Sequence, residues 1–369
     1  MKILKGRPNK IEKTFIGRVE VIRSDARGHS HLLTSAESSE HVLLRSGSPI
    51  KGCFVHSSIL FDTPLSFSVG DVVRIEPDGF FLREYEQAQA DNPILLTEAC
   101  NSQCLMCPQP PKLQKETYCN EAIEIVKNIA PSPEALGVTG GEPTCTFSEL
   151  IKLLCAIRHY HPACHIQLLT NARKLSDIRL ARTLSESAGH AITVCIPVYS
   201  ELASVHDEVV GSAGAWEETM AGIANLARFG VAIEIRTLLL QQNISRLPQW
   251  AEFIYRNAPF TVHIAIMALE PMGYAKKNWD ILVVKPEAAK QYLLNAVRRL
   301  HRREMTVSLY NMQRCLLPPE LWQFSVSSIS GWKVQYAESC SRCRVKQSCG
   351  GFFFSAFGVE GWSAPEPIL

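Results

Sequence analysis

The sequence predicts an α/β protein: six parallel βα units in series, preceded by a small β-rich module and followed by a Cys-rich extension. Three observations carry this. Residues 1–90 hold short alternating or β-branched segments broken by turn residues, and residues 91–305 alternate apolar strands with amphipathic helices. From 306 to 369 cysteine and phenylalanine accumulate. A chain of 369 residues, 46% hydrophobic and 20% charged, suits one large or two modest globular domains.

In the first module Gly17–Ile22, His41–Arg45 and Gly70–Glu76 read as strands, and Pro77-Asp-Gly79 as a turn. Six apolar strands follow: Pro93–Thr97, Ala135–Thr139, His165–Thr170, Ile192–Val198, Val231–Leu238 and Val262–Ala268. The helices between them repeat apolar residues at i, i+3, i+4 and i+7, as in Ala122, Ile125, Val126 and Ile129, or Leu150, Leu153, Leu154 and Ile157. Met220, Ile223, Ala224 and Ala227 mark another, which Gly230 is placed to end. A last helix over Pro286–Arg303 and a segment Thr306–Tyr310 lead into the extension. Six βα units form either an open doubly wound sheet or a partial barrel. In both, functional groups gather after the carboxyl ends of the strands.

Lys plus Arg is 38 and Asp plus Glu 36, a formal charge of +2, so neither nucleic acid nor an anionic membrane is an expected partner. No apolar run of roughly 18 residues occurs. The basic start MKILKGRPNKIEKTF lacks the apolar stretch of a secretory signal, which predicts a cytosolic protein. There, thirteen cysteines are thiols, metal ligands or small buried hydrophobes rather than bridges.

Cys100, Cys104 and Cys107 have the spacing C-x3-C-x2-C in the loop after the first strand. Structural zinc wants four protein ligands, and the nearest further thiol, Cys119, starts a predicted helix. Three thiolates suit a [4Fe–4S] cluster whose open iron chelates a ligand bearing an amine and a carboxylate. Zinc and inert thiols are the alternative readings. The second strand ends in Thr139-Gly-Gly-Glu-Pro143, where Gly140 and Gly141 allow close backbone approach to a ligand, Glu142 offers a carboxylate to an amine, and Pro143 stiffens the turn.

With these motifs on successive βα units, the chain resembles the radical S-adenosylmethionine superfamily. The resemblance implies a partial (β/α)6 TIM-type barrel, with residues 91–305 as the core. It implies a [4Fe–4S] cluster on Cys100, Cys104 and Cys107, and S-adenosylmethionine on its fourth iron. Reductive cleavage then yields a 5′-deoxyadenosyl radical. Gly140, Gly141, Glu142 and Pro143 would hold the cofactor's amino group, Thr170 and Asn171 its ribose or carboxylate, and Arg236 its carboxylate. Met267 and Ala268 would lie against adenine. One departure is Met106, where the superfamily usually has an aromatic residue; a thioether is still apolar and polarizable. An ion-paired Arg236 and a capping role for His206-Asp207 are the plainer readings. His29 and His31 read as surface histidines.

Near the end, Cys340, Cys343 and Cys349 precede Gly350-Gly351 and three phenylalanines, with Cys315 upstream. Four thiols suit zinc or iron–sulfur. The spacing is similar to the SPASM or twitch extensions of radical peptide-modifying enzymes, which implies a second, auxiliary [4Fe–4S] cluster with Cys315 as fourth ligand. Cys145, Cys155 and Cys195 read as packed residues; Cys53, Cys119 and Cys164 show no pattern.

More closely, Ile94–Lys112 and Cys340–Ser355 resemble the C-type radical maturase of the His-Xaa-Ser peptide system. That implies a peptide substrate with His-Xaa-Ser repeats, a partner radical maturase and a reductase or flavodoxin-type electron donor. An exposed strand edge within residues 1–90 would hold an extended peptide by strand addition; capping the barrel is the plainer role. A radical enzyme acting on a small molecule or RNA base, and a non-catalytic metal-binding protein, are the other function classes.

Overall fold

The computed structural model describes residues 4–5, 7–9, 11, 13–25, 28–36, 41–46, 57–61, 67–112, 117–327, 333–356, 359 and 365–369. Cys53 and the side chains of His29 and His31 lie outside the described residues.

The amino-terminal sheet comprises β1 (Leu4–Lys5), β2 (Arg7–Asn9), β3 (Phe15–Asp25), β4 (Gly28–Thr34), β5 (His41–Ser46), β6 (Ser57–Phe61), β7 (Val72–Ile75) and β8 (Phe80–Tyr85). Their order is β1-β8-β7-β3-β4-β5-β6-β2, antiparallel throughout except between β5 and β6. Alternation builds its core: Phe15 and Val19, Val42 and Leu44, and Val73 and Ile75 sit two or four apart and cluster with Leu33, Phe67 and Phe81.

A second sheet comprises β9 (Pro93–Thr97), β10 (Ala135–Gly140), β11 (His165–Leu169), β12 (Ile192–Pro197), β13 (Ala232–Leu238), β14 (His263–Met267), β15 (Val307–Tyr310) and β16 (Ser325–Val326). This parallel sheet runs in chain order from β9 to β16. A doubly wound sheet reverses its order partway, so the monotonic order selects the partial barrel over that alternative. β15 and β16 extend the six expected strands; at four and two residues they are too short for periodicity to announce.

The connecting helices are α1 (Cys119–Asn128), α2 (Phe147–Tyr160), α3 (Ile178–Ala188), α4 (Ala203–Val210), α5 (Ala215–Arg228), α6 (Leu247–Asn257), α7 (Gly273–Lys277), α8 (Trp279–Leu282) and α9 (Pro286–His301). Their apolar stripes carry the predicted spacing, and α5 packs on β13 and α9 on β15. Ile233, Ile235, Ile264, Ile266 and Leu309 are fully buried, while the alternate residues of the same strands, apart from the buried Ala265, are partly open. Those alternate residues lie on the opposite, inner face. Among the described residues no helix is long and apolar enough to cross a membrane. An antiparallel pair, β17 (Val334–Gln335) with β18 (Phe352–Phe353), brackets the last three cysteines.

By internal contacts the chain divides into two units: Met1–Leu96 with Tyr118–Val138 and Ser148–Ile166, and Thr97–Thr117 with Thr139–Phe147 and Gln167–Leu369. Every residue of the site described next belongs to the second.

Candidate active site

β9 ends at Thr97, and the backbone that follows it has no regular structure through the three cysteines. Its stem is held by the end of β10. The Gly141 N–H donates to the Thr97 carbonyl at 2.8 Å, and the Glu142 N–H to the Ala99 carbonyl at 2.7 Å. A Cβ on Gly140 would stand 2.6 Å from the Thr97 carbonyl oxygen, and one on Gly141 2.5 Å from that of Ala99. The paired glycines therefore permit backbone to meet backbone within the chain, whatever ligand lies beyond.

The far side of the loop is tied to two helices. The Gln103 and Leu105 N–H groups donate to the Val210 and Val209 carbonyls at the end of α4, at 3.0 and 2.9 Å. Those carbonyls lack helical partners, so the loop satisfies them. Gly211 then turns the chain away at φ +62°, where a Cβ would stand 2.5 Å from the Gln103 oxygen. From α7 the Tyr274 N–H donates to the Cys107 carbonyl at 2.8 Å, and the Asn278 amide to that of Leu105 at 2.8 Å. Met106 turns into the protein, buried with Tyr199, Leu269, Trp279 and Leu282.

Glu142 is 1% exposed. One carboxylate oxygen accepts from the Thr144 N–H (2.9 Å), the Thr144 hydroxyl (2.6 Å) and the Thr170 hydroxyl (2.5 Å); the other accepts from the Asn171 N–H at 2.6 Å. A buried carboxylate with four donors is satisfied internally, so its side chain ties β10 to β11. Asn171 passes the restraint on, donating to Asn101 Oδ1 at 2.7 Å, while Arg173 reaches the Asn101 carbonyl at 2.5 Å and the Ser102 hydroxyl at 3.0 Å. Glu142, Thr170 and Asn171, expected as cofactor contacts, thus form the frame on which the cysteine loop rests. Asn101, Ser102 and Arg173 escaped the sequence reading; their only signal was polar character inside or just after a motif.

Burial pushes the Cys104 thiol up to about 12, with Cys100 and Cys107 adding to it. Burial also pushes Cys100 up to about 11, against a Ser102 N–H that lowers it. Cys107 is raised by burial as well. Among the described residues no three His, Cys, Asp or Glu side chains stand in metal-binding position. The three thiols nonetheless feel one another's charge. Thiolates disfavoured by burial and mutual repulsion suit a cationic metal group that neutralises them, so this donor set fits an iron–sulfur cluster.

Other expected site residues are placed more loosely. Arg236 lies on the inner face of β13, where its Nε bonds Glu234 at 2.5 Å. Met267 shares that face one strand over, and Ala268 lines a largely apolar pocket of about 670 Å³, open solvent included, with Leu239, Leu269, Trp279, Val283 and Asn311. In the extension, the Arg314 N–H approaches Cys349 Sγ at 3.5 Å, and Cys315 is raised first by burial and then by Cys349 and Cys340. The bond from Arg314 brings Cys349 beside the segment that carries Cys315; Cys343 follows Cys340 by one turn, its N–H donating to the Cys340 carbonyl at 3.2 Å.

His206 is buried in α4 and accepts the Tyr199 N–H at Nδ1. Asp207 accepts from the Gly214 and Trp216 N–H groups at 2.6 and 2.8 Å, a capping role at the start of α5. One expectation is corrected: Cys155 is exposed, because it falls on the solvent side of α2 between the buried Leu153, Leu154 and Ile157. Cys195 is buried as expected.

Residues 94–254 match the model of the Radical SAM superfamily. No curated protein matches. Among solved structures, Streptococcus suis SuiB bound to S-adenosylmethionine is 14% identical over 60% of this chain and 50% of that one, with a TM-score of 0.49. The chain thus spans about half of that protein. Native anSMEcpe with bound AdoMet and Cp18Cys peptide is 14% identical over 75% of this chain and 92% of that one, with a TM-score of 0.52. A radical SAM methyltransferase from Sphaerobacter thermophilus is 11% identical over 85% of this chain and 78% of that one, with a TM-score of 0.45.

Proposed function

Because residues 94–254 match the model of the Radical SAM superfamily, we propose that this protein is a radical enzyme that modifies a peptide in the reducing cytosol. One observation carries the reading: three half-buried thiols on a loop that β10, α4 and α7 hold in place, inside the matched segment. Cys100, Cys104 and Cys107 would hold a [4Fe–4S] cluster. When bound, that cluster and S-adenosylmethionine supply a hydrogen-abstracting radical, the electron coming from a reductase or flavodoxin-type donor. The chain's own work is to position. Gly140 and Gly141 bring the end of β10 against the loop, Glu142 and Asn171 keep loop and strand ends in register, and Met106 fills the space beneath. Arg236, Met267 and Ala268 line the inner face and rim where the cofactor's carboxylate and adenine would lie.

A peptide is favoured because anSMEcpe, which shares the fold over 92% of its length, has both AdoMet and a peptide bound. The likeness of Ile94–Lys112 and Cys340–Ser355 to the C-type maturase of the His-Xaa-Ser system supports a His-Xaa-Ser repeat peptide as the substrate, with a second radical maturase as partner. Residues 1–90 would hold it along an outer strand of their sheet. Cys315, Cys340, Cys343 and Cys349 would carry an auxiliary [4Fe–4S] cluster.

Anaerobic reconstitution tests this reading. Iron and sulfide bind in cluster stoichiometry, and reduction with S-adenosylmethionine yields 5′-deoxyadenosine. Replacing Cys100, Cys104 and Cys107 by Ala abolishes that product while leaving the iron of the last four cysteines. Product formation by the triple variant would overturn the assignment.

A further inference from the structure

The inner face of β13, β14 and β15 carries side chains that the reading above leaves without work. Glu234 Oε2 lies 2.8 Å from His263 Nδ1, and His263 Nε2 lies 2.9 Å from Ser308 Oγ. The remaining Glu234 oxygen takes Arg236 Nε at 2.5 Å. Glu234 and His263 keep 13% and 18% of their side-chain surface, so this chain of groups is sheltered without being sealed.

A carboxylate only accepts, so the imidazole hydrogen sits on Nδ1 and the Nε2 lone pair faces the Ser308 hydroxyl. Burial works against the Glu234 charge, but the His263 hydrogen bond and Arg236 outweigh it and hold the carboxyl at about 2. The strand register sets the levels. Cys195, Glu234 and His263 share one; Arg236, Ala265 and Ser308 share the next, nearer the carboxyl ends; Leu238, Met267 and Tyr310 form the rim. At that level the buried Ala265 stands in register between Arg236 and Ser308.

We propose that Ser308 is an activated nucleophile toward small acyl esters, with His263 as its base. Glu234 orients that base, and Arg236 receives the developing oxyanion. Ser308 Oγ bonds to the acyl carbon as its proton passes to His263 Nε2, and the carbonyl electron pair moves onto the oxygen beside Arg236. Collapse breaks the ester C–O bond, and the departing alcohol takes the proton from Nε2. Water then repeats the sequence, freeing the acid and restoring Ser308, with no change of oxidation state. None of these steps uses the cysteine loop; Arg236 is shared with the reading above, so the test turns on Ser308, His263 and Glu234, which that reading does not use.

The test uses the full chain, reconstituted anaerobically, and a biotinylated fluorophosphonate. A single adduct forms on Ser308 with loss of fluoride, located by peptide mass spectrometry. Ser308→Ala abolishes it while iron content and melting temperature stay at wild-type values, which separates lost chemistry from lost fold. His263→Gln slows labelling at least roughly 100-fold and Glu234→Gln roughly 10-fold, and hydrolysis of p-nitrophenyl acetate falls in the same order. Absence of an adduct on Ser308 in the folded protein, or labelling that survives Ser308→Ala or ignores His263→Gln, overturns the proposal. The three groups would then be a structural link between strands.

Discussion

The molecule has two cysteine-bearing regions with similar donors and different scaffolds. Around Cys100, Cys104 and Cys107 the backbone is bonded to the ends of β10, α4 and α7, elements that the rest of the chain holds in place. Around Cys340, Cys343 and Cys349 the backbone is carried largely by successive short turns: Cys340 to Ala337, Cys343 to Cys340, Lys346 to Cys343 and Cys349 to Lys346. β17 and β18 bracket them, and Gln313, Arg314 and Tyr336 bond Gly351, Ser348 and Cys349. The first region is built by the fold before anything binds. The second has little regular structure to hold its thiols apart, so its order would depend more on the cluster proposed for it.

Removing iron is the strongest test of that contrast. With a chelator under anaerobic conditions, amides of Val334–Phe353 are expected to exchange roughly 100-fold faster, while those of Gln103, Leu105, Gly141 and Glu142 stay protected. Equal loosening of both would erase the difference. Next in size is Glu142→Ala, which strands the hydroxyls of Thr144 and Thr170 and the Asn171 N–H; a loss of roughly 3 kcal/mol in denaturant unfolding is expected. The same change should lower iron bound by the first three cysteines and leave the last four unaffected.

Gly141→Ala drives a methyl against the Ala99 carbonyl oxygen, at a cost of about 2 kcal/mol by the same measurement. Wild-type stability in this variant would show that the stem of the loop yields easily. The smallest effect is one of pH. Burial pushes His206 down to about 4, with Arg173 adding and Asp207 opposing, so the folded protein keeps it neutral. Its contribution is complete above the ordinary imidazole value and is lost as pH falls from about 6.5 toward 4, amounting to about 1 kcal/mol at pH 5.5. His206→Asn should flatten that part of the stability–pH curve. Because α4 carries the carbonyls that hold Gln103 and Leu105, the loosening should reach the first loop and spare the second.

Much of this was legible in advance. The strands Pro93–Thr97 and His165–Leu169 stand where apolar runs placed them, and Cys119 opens α1. Those features are local: a run of apolar residues or a repeat of 3.6 needs no partner to be seen. Cys155 shows the limit. It lies among apolar residues in the sequence yet faces outward, because a helix turns each position by a fixed angle and its neighbours Leu153, Leu154 and Ile157 take the inner side. Glu142 shows another: its place beside the paired glycines was readable, but its bonds to Thr170 and Asn171, 28 and 29 residues further on, were not. The Glu234–His263–Ser308 chain left a faint signal, polar residues at alternate places in otherwise apolar strands.

The sequence by itself determined the alternation of strands and helices and the spacing of three thiols on one loop, because periodicity and spacing are properties of neighbouring residues. Only the tertiary structure decided that β10 ends against that loop, that the end of α4 accepts its amides, and that a serine, a histidine and a glutamate from three strands meet. Those contacts join residues far apart in the chain, through parallel register and close backbone approach. Neither leaves a local pattern to be read.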